Sequence, residues 1–254
     1  METLKVDRDS ELVGLTTITL NRPEKLNAIN SRMHEELQSV CTQLQSDTQT
    51  RVVVFTGAGH AFSAGADLKD SPSFTGAVED PLAMRRRLGT GNRTSALIEQ
   101  LDQVTIAAVN GLAIGGAVVF LSAMDLRLAA QSAWFSIPEI DLNIPLTWNA
   151  LPRLMRELGP ARTKQLVMTG DRFSAEDALR WGFLNQVTAD DALFPTVRSL
   201  AAKLLAKDPI SLALTKSTTR ALANLMVPDE PTHSDREYLM LAALLGAKKK
   251  PEED

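Results

Sequence analysis

Two glycine-rich stretches, residues 62–68 and 110–117, constrain this chain more than any other feature. Each follows an apolar run that is typical of a strand, and each leads into a helical pattern. A strand that breaks at small residues before a helix leaves backbone N–H groups unpaired at the helix entrance, where the helix dipole favours negative charge. Two such turns together can hold one carbonyl oxygen as it becomes an oxyanion, so the pair predicts where the chemistry takes place.

The rest of the chain also alternates between strand-like and helix-like segments. Residues 51–56 and 104–110 are rich in β-branched and other apolar residues, which is typical of strands buried on both faces. Residues 31–44 have helical spacing, with Asn30 or Ser31 as the N-cap. This alternation predicts an α/β fold.

Two regions lie outside the alternating core. Residues 70–92 are polar and contain two prolines, which predicts a variable surface loop with a short helix and a solvated face for the three arginines at 85–87. Beyond about residue 194 the pattern is wholly helical, with apolar faces at 197–205 and 238–245. We therefore expect a core domain of residues 1–195 and a helical region of residues 196–254 that forms subunit contacts.

Charge and cysteine content exclude several classes of protein. Twenty-seven basic and thirty-one acidic residues give a net charge of -4, which argues against nucleic acid or an anionic membrane as a partner. Cys41 is the only cysteine, so an internal disulfide is impossible and a reducing compartment is favoured. No apolar run approaches the roughly 20 residues of a membrane span, and the first twenty residues carry charge throughout. These features predict a cytoplasmic protein without a signal peptide or membrane anchor.

Spacing excludes several common catalytic motifs. Gly57 and Gly59 begin like a dinucleotide-binding fingerprint, but its third glycine would fall at Phe62, and no P-loop lysine follows. Ser63 lacks the glycine two positions earlier that a nucleophile elbow requires. The histidines at 34, 60 and 233 have no metal-ligand spacing and are expected to be surface or structural residues, so no metal is predicted.

The paired turns and their spacing resemble those of the crotonase superfamily, the enoyl-CoA hydratase and isomerase group, over about residues 12–225. The resemblance implies a spiral of β-β-α turns with a C-terminal helical trimerisation region, in a homotrimer or a hexamer made of two trimers. In that family two backbone N–H groups bind the thioester carbonyl of an acyl-CoA, and the matching positions here are Ala66 and Gly116. Coenzyme A would be part of the substrate, and no separate cofactor is expected.

The same resemblance assigns further residues to substrate binding. Residues 22–28 match the family's loop along the phosphates and adenine of CoA, where Lys25 or Arg22 would supply positive charge that the acidic chain lacks. Asp67 is expected to cap a helix rather than to act in catalysis. The residues assigned to CoA and acyl binding are Lys25, Leu26, Ala28, Ala64, Asp67, Leu68, Val119 and Trp148.

The acid–base residues depart from the hydratase pattern of that family. Hydratases use two glutamates around a water molecule, one three residues after the oxyanion glycine and one in a Pro-Glu turn downstream. The first position here is Val119, which cannot deprotonate water, and the second is Glu139. Apolar neighbours are expected to raise the pKa of Glu139 toward neutrality, which suits a base that must also return a proton.

A single base that faces an enolate can take a proton from C2 and return it to C4, and isomerases of the family likewise combine one glutamate with an apolar upstream residue. The leading hypothesis is therefore isomerisation of a 3-enoyl-CoA to the 2-enoyl form. Hydration stays open if Asp141, Thr147 or Asn149 replaces the missing group, as do thioester hydrolysis and decarboxylation. A protein that binds acyl-CoA without catalysis is the alternative from another class. Trp148 either shortens the acyl pocket or packs in the core.

Overall fold

The computed structural model describes residues 1–70 and 80–228, and this part of the chain forms two sheets surrounded by helices. The strands are β1 (Leu4–Arg8), β2 (Leu15–Leu20), β3 (Val52–Gly57), β4 (Ala61–Ser63), β5 (Val104–Val109), β6 (Leu112–Ile114), β7 (Leu126–Ala130), β8 (Trp134–Ser136), β9 (Phe173–Ser174) and β10 (Gln186–Thr188). The helices are α1 (Ser31–Gln45), α2 (Pro81–Leu88), α3 (Thr90–Glu99), α4 (Gly116–Ser122), α5 (Ala150–Thr169), α6 (Ala175–Arg180), α7 (Leu193–Leu205) and α8 (Pro209–Met226).

The larger sheet has six strands in the order β1-β2-β3-β5-β7-β10. All neighbours are parallel except β1 and β2, which are antiparallel. Every residue of β3 and β5 is buried, as the prediction of strands covered on both faces requires. The sequence did not predict β1, because four of its five residues are exposed and an edge strand of this kind lacks a clear apolar pattern.

The smaller sheet has the order β4-β6-β8-β9 and is built from short strands that follow the long ones. After β3, β5 and β7 the chain turns over two or three residues and enters β4, β6 and β8 respectively. The β-β-α repeat and the mixed α/β fold are thereby confirmed. The prediction that both glycine-rich stretches lead into a helix was wrong for the first one. The second stretch enters α4, whereas no helix begins between residues 64 and 70 after the first.

Local signals place most helix ends correctly. Asn30, rather than Ser31, caps α1, since its side chain accepts a hydrogen bond from the Met33 N–H at 2.9 Å. Ser174 caps α6 in a reciprocal pair with Asp177. Gly159 has non-helical φ and ψ inside α5, so the predicted break before Pro160 is confirmed.

The polar region 70–92 differs from its prediction. Residues 80–92 hold α2 and the first turn of α3 rather than a loop with one short helix, and residues 71–79 lie outside the described residues. Met84 and Leu88 are the buried positions of α2, and the three exposed arginines between them conceal this spacing in the sequence.

The two last described helices differ in burial. α7 buries Leu193, Val197 and Ala201, whereas none of the eighteen residues of α8 is buried. The predicted helix at 236–245 and the face at 238–245 lie outside the described residues. The domain boundary after residue 195 falls within α7 and stays a prediction, as does trimerisation through this region. Across residues 1–70 and 80–228, no helix combines the length and the hydropathy that crossing a membrane would require.

Candidate active site

A cavity of about 350 Å³ opens where the two glycine-rich turns meet α1 and α3. The structure brings seven of the predicted site residues to its wall: Ala66, Asp67, Leu68, Gly116, Val119, Glu139 and Trp148. Four others do not line it: Lys25, Leu26, Ala28 and Ala64. The wall also contains α1 and α3 residues that the sequence did not indicate.

The two turns touch through their backbones at Gly65. This residue has φ +81°, and a Cβ added to it would lie 2.4 Å from the Ile114 carbonyl oxygen and 3.3 Å from the Gly116 nitrogen. Only glycine can therefore occupy this position without moving the turns apart. The contact places Ala66, the next residue, beside the entrance of α4.

The amides of Ala66 and Gly116 have no hydrogen-bond acceptor among the described residues. Ile29 pairs with Ala66 in a short β-bridge. In this bridge the Ile29 N–H donates to the Gly65 carbonyl at 2.8 Å, and the Asp67 N–H donates to the Ile29 carbonyl at 2.9 Å. Neither hydrogen bond uses the Ala66 N–H. Gly116 is the first residue of α4, where backbone amides lack helical acceptors. Two amides that can still donate thus belong to residues that border one cavity.

Glu139 lies against the second turn. It stands in the 3₁₀ helix Pro138–Leu142 after β8, and a Cβ on Gly115 would lie 2.5 Å from its Oε1 atom. Its Oε2 atom is buried and makes no hydrogen bond to any described residue. Burial raises the pKa of Glu139 from 4.5 to about 7, because the charged form loses hydration. The carboxyl group can therefore both accept and return a proton near neutral pH.

The position of a second acid is occupied by an apolar residue. Val119 is buried and lines the cavity one turn into α4. Of the three groups considered as substitutes, Thr147 lines the cavity, whereas Asp141 and Asn149 do not. The Asp141 carboxylate instead lies beside Gly170, where a Cβ would be 2.9 Å from its Oδ2 atom.

Trp148 both lines the cavity and packs into the protein. Its ring stacks on Phe120 with centroids 5.5 Å apart, and Cβ atoms added to Gly91 or Gly116 would lie 2.2 Å and 2.3 Å from indole atoms. Trp148 has φ 62°, an unfavourable left-handed conformation for a bulky residue. Arg153 is buried and donates to the Trp148 carbonyl at 3.2 Å, which helps to hold this strained segment.

A model of the enoyl-CoA hydratase/isomerase family matches residues 11–246. The chain belongs to this family. A short-chain-enoyl-CoA hydratase of Clostridium acetobutylicum is 34% identical over 204 residues, which are 80% of this chain and 76% of the relative. The predicted resemblance to the crotonase superfamily is confirmed.

Solved structures agree with the family assignment. The crystal structure of an enoyl-CoA hydratase from Bacillus anthracis matches with a TM-score of 0.79 and 33% identity, covering 96% of this chain and 91% of that chain. A monofunctional enoyl-CoA isomerase from M. smegmatis matches with a TM-score of 0.74 and 26% identity, covering 93% and 99%. The protein is therefore an acyl-CoA enzyme of the hydratase/isomerase type, and both reactions are represented among the proteins it resembles.

Residues 22–28, which the sequence resemblance predicted to bind CoA, run beside the first turn rather than along the cavity wall. The Leu26 carbonyl accepts a hydrogen bond from the Ala64 N–H at 2.9 Å, two residues before Ala66. Lys25 ends the 3₁₀ helix Pro23–Lys25 and is exposed. The Ala28 carbonyl accepts a hydrogen bond from Arg22 Nη1 at 2.7 Å, so Arg22 is held inside the loop.

Asp67 does not cap a helix, and that expectation was wrong. Its Oδ2 atom lies 2.9 Å from Arg22 Nη1 in an ion pair whose side chains are both largely buried. Arg22 lies 45 positions from Asp67 in the chain. Its charge is used in this ion pair, whereas the sequence suggested that Arg22 could bind CoA. Lys25 is the cation of this loop that remains exposed.

Sequence analysis missed two features of the cavity wall. His34, expected to be a surface or structural residue, is only 6% exposed and lines the cavity. Arg87 also lines it, although all three arginines at 85–87 are exposed as a solvated face requires. In the described ranges, no group of three or more His, Cys, Asp or Glu residues is arranged to hold a metal ion. The expectation of no metal stays a prediction.

Proposed function

We propose that this protein isomerises a 3-enoyl-CoA to the 2-enoyl-CoA and that Glu139 is its acid–base residue. One observation supports this most strongly: the Glu139 carboxyl packs against the second glycine turn, while Val119 occupies the wall where a hydratase of the family carries its other glutamate. Isomerisation needs one group that accepts and returns a proton, whereas hydration also needs a group that activates water.

In this proposal the two turns stabilise the enolate. The thioester oxygen accepts hydrogen bonds from the Ala66 and Gly116 amides, which have no other acceptor among the described residues. Such donors are aligned before the reaction, so they stabilise the charge that develops on the oxygen without reorganising. Each typically contributes about 3 to 4 kcal/mol to transition-state stabilisation.

Glu139 moves the proton. As a carboxylate it takes a proton from C2, and the electron pair of that C–H bond spreads over the dienolate. The same carboxyl group then returns the proton to C4, so the double bond moves from C3–C4 to C2–C3 and nothing else is consumed. A pKa of about 7 leaves enough carboxylate to start the reaction and enough acid strength to finish it.

The CoA moiety is proposed to follow residues 22–28. This loop is bonded through Leu26 to Ala64, close to the proposed oxyanion donor Ala66. Lys25 presents an exposed ammonium group that suits a phosphate, while Leu26 and Ala28 contribute backbone along the ligand. Leu68 is half-exposed at the rim of the cavity, where the acyl and CoA parts would join.

Hydration is the second candidate function. Thr147 places a hydroxyl-bearing residue in the wall of the cavity, and a hydroxyl group can hold a water molecule. The hydratase of Clostridium acetobutylicum described above is also similar to this chain. However, a threonine hydroxyl has no basicity near neutral pH, so it would position water without deprotonating it.

The decisive experiment supplies purified protein with 3-hexenoyl-CoA and, separately, with 2-hexenoyl-CoA. We expect the absorbance of a conjugated thioester to rise with the first and little hydration of the second. Glu139→Gln is expected to lower kcat on the 3-enoyl substrate roughly 100-fold to 10000-fold, as for loss of a general acid–base group. Asp141→Asn is the matched control, because its carboxylate faces Gly170 and activity should be retained.

The other outcomes are equally informative. Rapid hydration of the 2-enoyl substrate that depends on Thr147 would contradict the isomerase proposal and favour the hydratase. Binding of both substrates without turnover of either would favour a protein that only binds acyl-CoA.

A further inference from the structure

Three polar side chains lie in the part of the cavity wall near Trp148. Gln38 and Thr90 line it together with His34. The indole of Trp148 abuts Gly116 and also contacts the His34 ring, with centroids 4.9 Å apart. The indole of Trp148 thus contacts both His34 and Gly116, which is one of the two proposed thioester-binding residues.

The hydrogen bonds around Thr94 occupy one of the two ring nitrogens of His34. Thr94 Oγ1 lies 3.1 Å from the Thr90 carbonyl oxygen, to which its hydroxyl can donate. The same oxygen accepts from Gln38 Nε2 at 2.9 Å and lies 2.9 Å from His34 Nδ1. Nδ1 is thus engaged with Thr94, and Nε2 is the ring nitrogen that remains for a ligand.

Nε2 of His34 makes no hydrogen bond to any of the described residues. It stands on the opposite edge of the ring from Nδ1, in a residue that lines the cavity. Burial is the main reason that the pKa of His34 falls from 6.5 to about 4, and nearby Arg93 lowers it further. The ring is therefore neutral at physiological pH, so one of its nitrogens donates a hydrogen bond and the other accepts one.

A methyl-terminated chain against Nε2 would displace water and leave this nitrogen without a hydrogen bond, which costs binding free energy. We infer that the acyl group this cavity accepts is short and bears a hydroxyl group at its far end, and that this hydroxyl forms a hydrogen bond with His34 Nε2. This inference rests on the proposed function, since it takes the cavity as the acyl site.

The test compares matched saturated ligands, so that it does not depend on which reaction the enzyme performs. Pentanoyl-CoA and 5-hydroxypentanoyl-CoA, and the six-carbon pair with a terminal hydroxyl, are titrated calorimetrically into the full-length protein. We expect that, in at least one of the two pairs, the hydroxylated acyl-CoA binds roughly tenfold more tightly than its methyl-terminated partner. His34→Phe, which removes the ring nitrogens, should bring the ratio of Kd values close to one, and His34→Gln, whose amide can both donate and accept, should retain part of the preference.

A merely structural role for His34 would weaken both ligands of a pair equally and leave their ratio unchanged. Equal binding of both pairs by the wild-type protein overturns the inference, as does a preference that persists in His34→Phe. If the variants do not fold, the wild-type ratio still decides. If both ligands bind equally while Glu139→Gln abolishes isomerisation, only this inference fails. If no acyl-CoA binds, the proposed function fails with it.

Discussion

At the scale of single residues, the burial of Glu139 has a consequence for stability as well as for catalysis. The ordinary pKa of this group is 4.5, and its pKa in the folded protein is about 7. Between these pH values the folded protein holds a proton that the unfolded chain has released. The free energy of unfolding therefore falls as the pH rises through this interval, and the full penalty applies above pH 7.

Glu139→Gln removes this penalty, because an amide does not ionise. We expect the variant to exceed the wild type in unfolding free energy by about 3 kcal/mol at pH 8, with the difference shrinking toward pH 5. Urea denaturation at several pH values measures it, and Asp141→Asn should follow the wild-type curve. A constant difference between wild type and Glu139→Gln across this range would contradict the assigned pKa.

At the scale of elements, the site depends on two turns that touch at Gly65. Gly65→Ala would place a methyl group 2.4 Å from the Ile114 carbonyl oxygen, so the turns must separate and the Ala66 amide must move. We expect kcat on the 3-enoyl substrate to fall roughly 100-fold to 1000-fold, as for the loss of one oxyanion donor. Steady-state kinetics measures this change.

Gly182 provides a matched control for Gly65. It has the same φ of +81°, but a Cβ there would meet no atom within 4 Å. Gly182→Ala should therefore lower the free energy of unfolding by roughly 1 kcal/mol, because alanine is strained in the left-handed conformation. Its kcat should change little. An equal loss of kcat in both variants would show that backbone strain, rather than the contact between the turns, controls activity.

At the scale of the whole molecule, α8 exposes an apolar surface that a second subunit would cover. Ile210, Leu214 and Leu225 are each at least 60% exposed. We expect light scattering after size-exclusion chromatography to give a mass three or six times that of one chain, and Leu214→Glu to shift it toward the monomer. Val13→Glu, a substitution at a loop residue that is even more exposed than Leu214, is the control. A wild-type monomer would contradict the prediction of a trimer or hexamer.

The sequence by itself determined the α/β pattern, the family and the key departure at Val119, because apolar periodicity, glycine turns and local motifs are encoded within short segments. It also indicated that Glu139 would have a raised pKa, since apolar residues surround it in the chain. Turn and cap positions such as Asn30 were predictable for the same local reason.

Only the tertiary structure decided which side chains share the cavity and how their charges are used. Asp67 pairs with Arg22 across 45 positions, and His34 Nδ1 forms a hydrogen bond with Thr94, 60 positions away. The sheet order and helix packing bring such partners together, and no short-range pattern records them. Burial and hydrogen bonding depend on neighbours in space rather than along the chain, so the surroundings of these side chains follow from the tertiary structure alone.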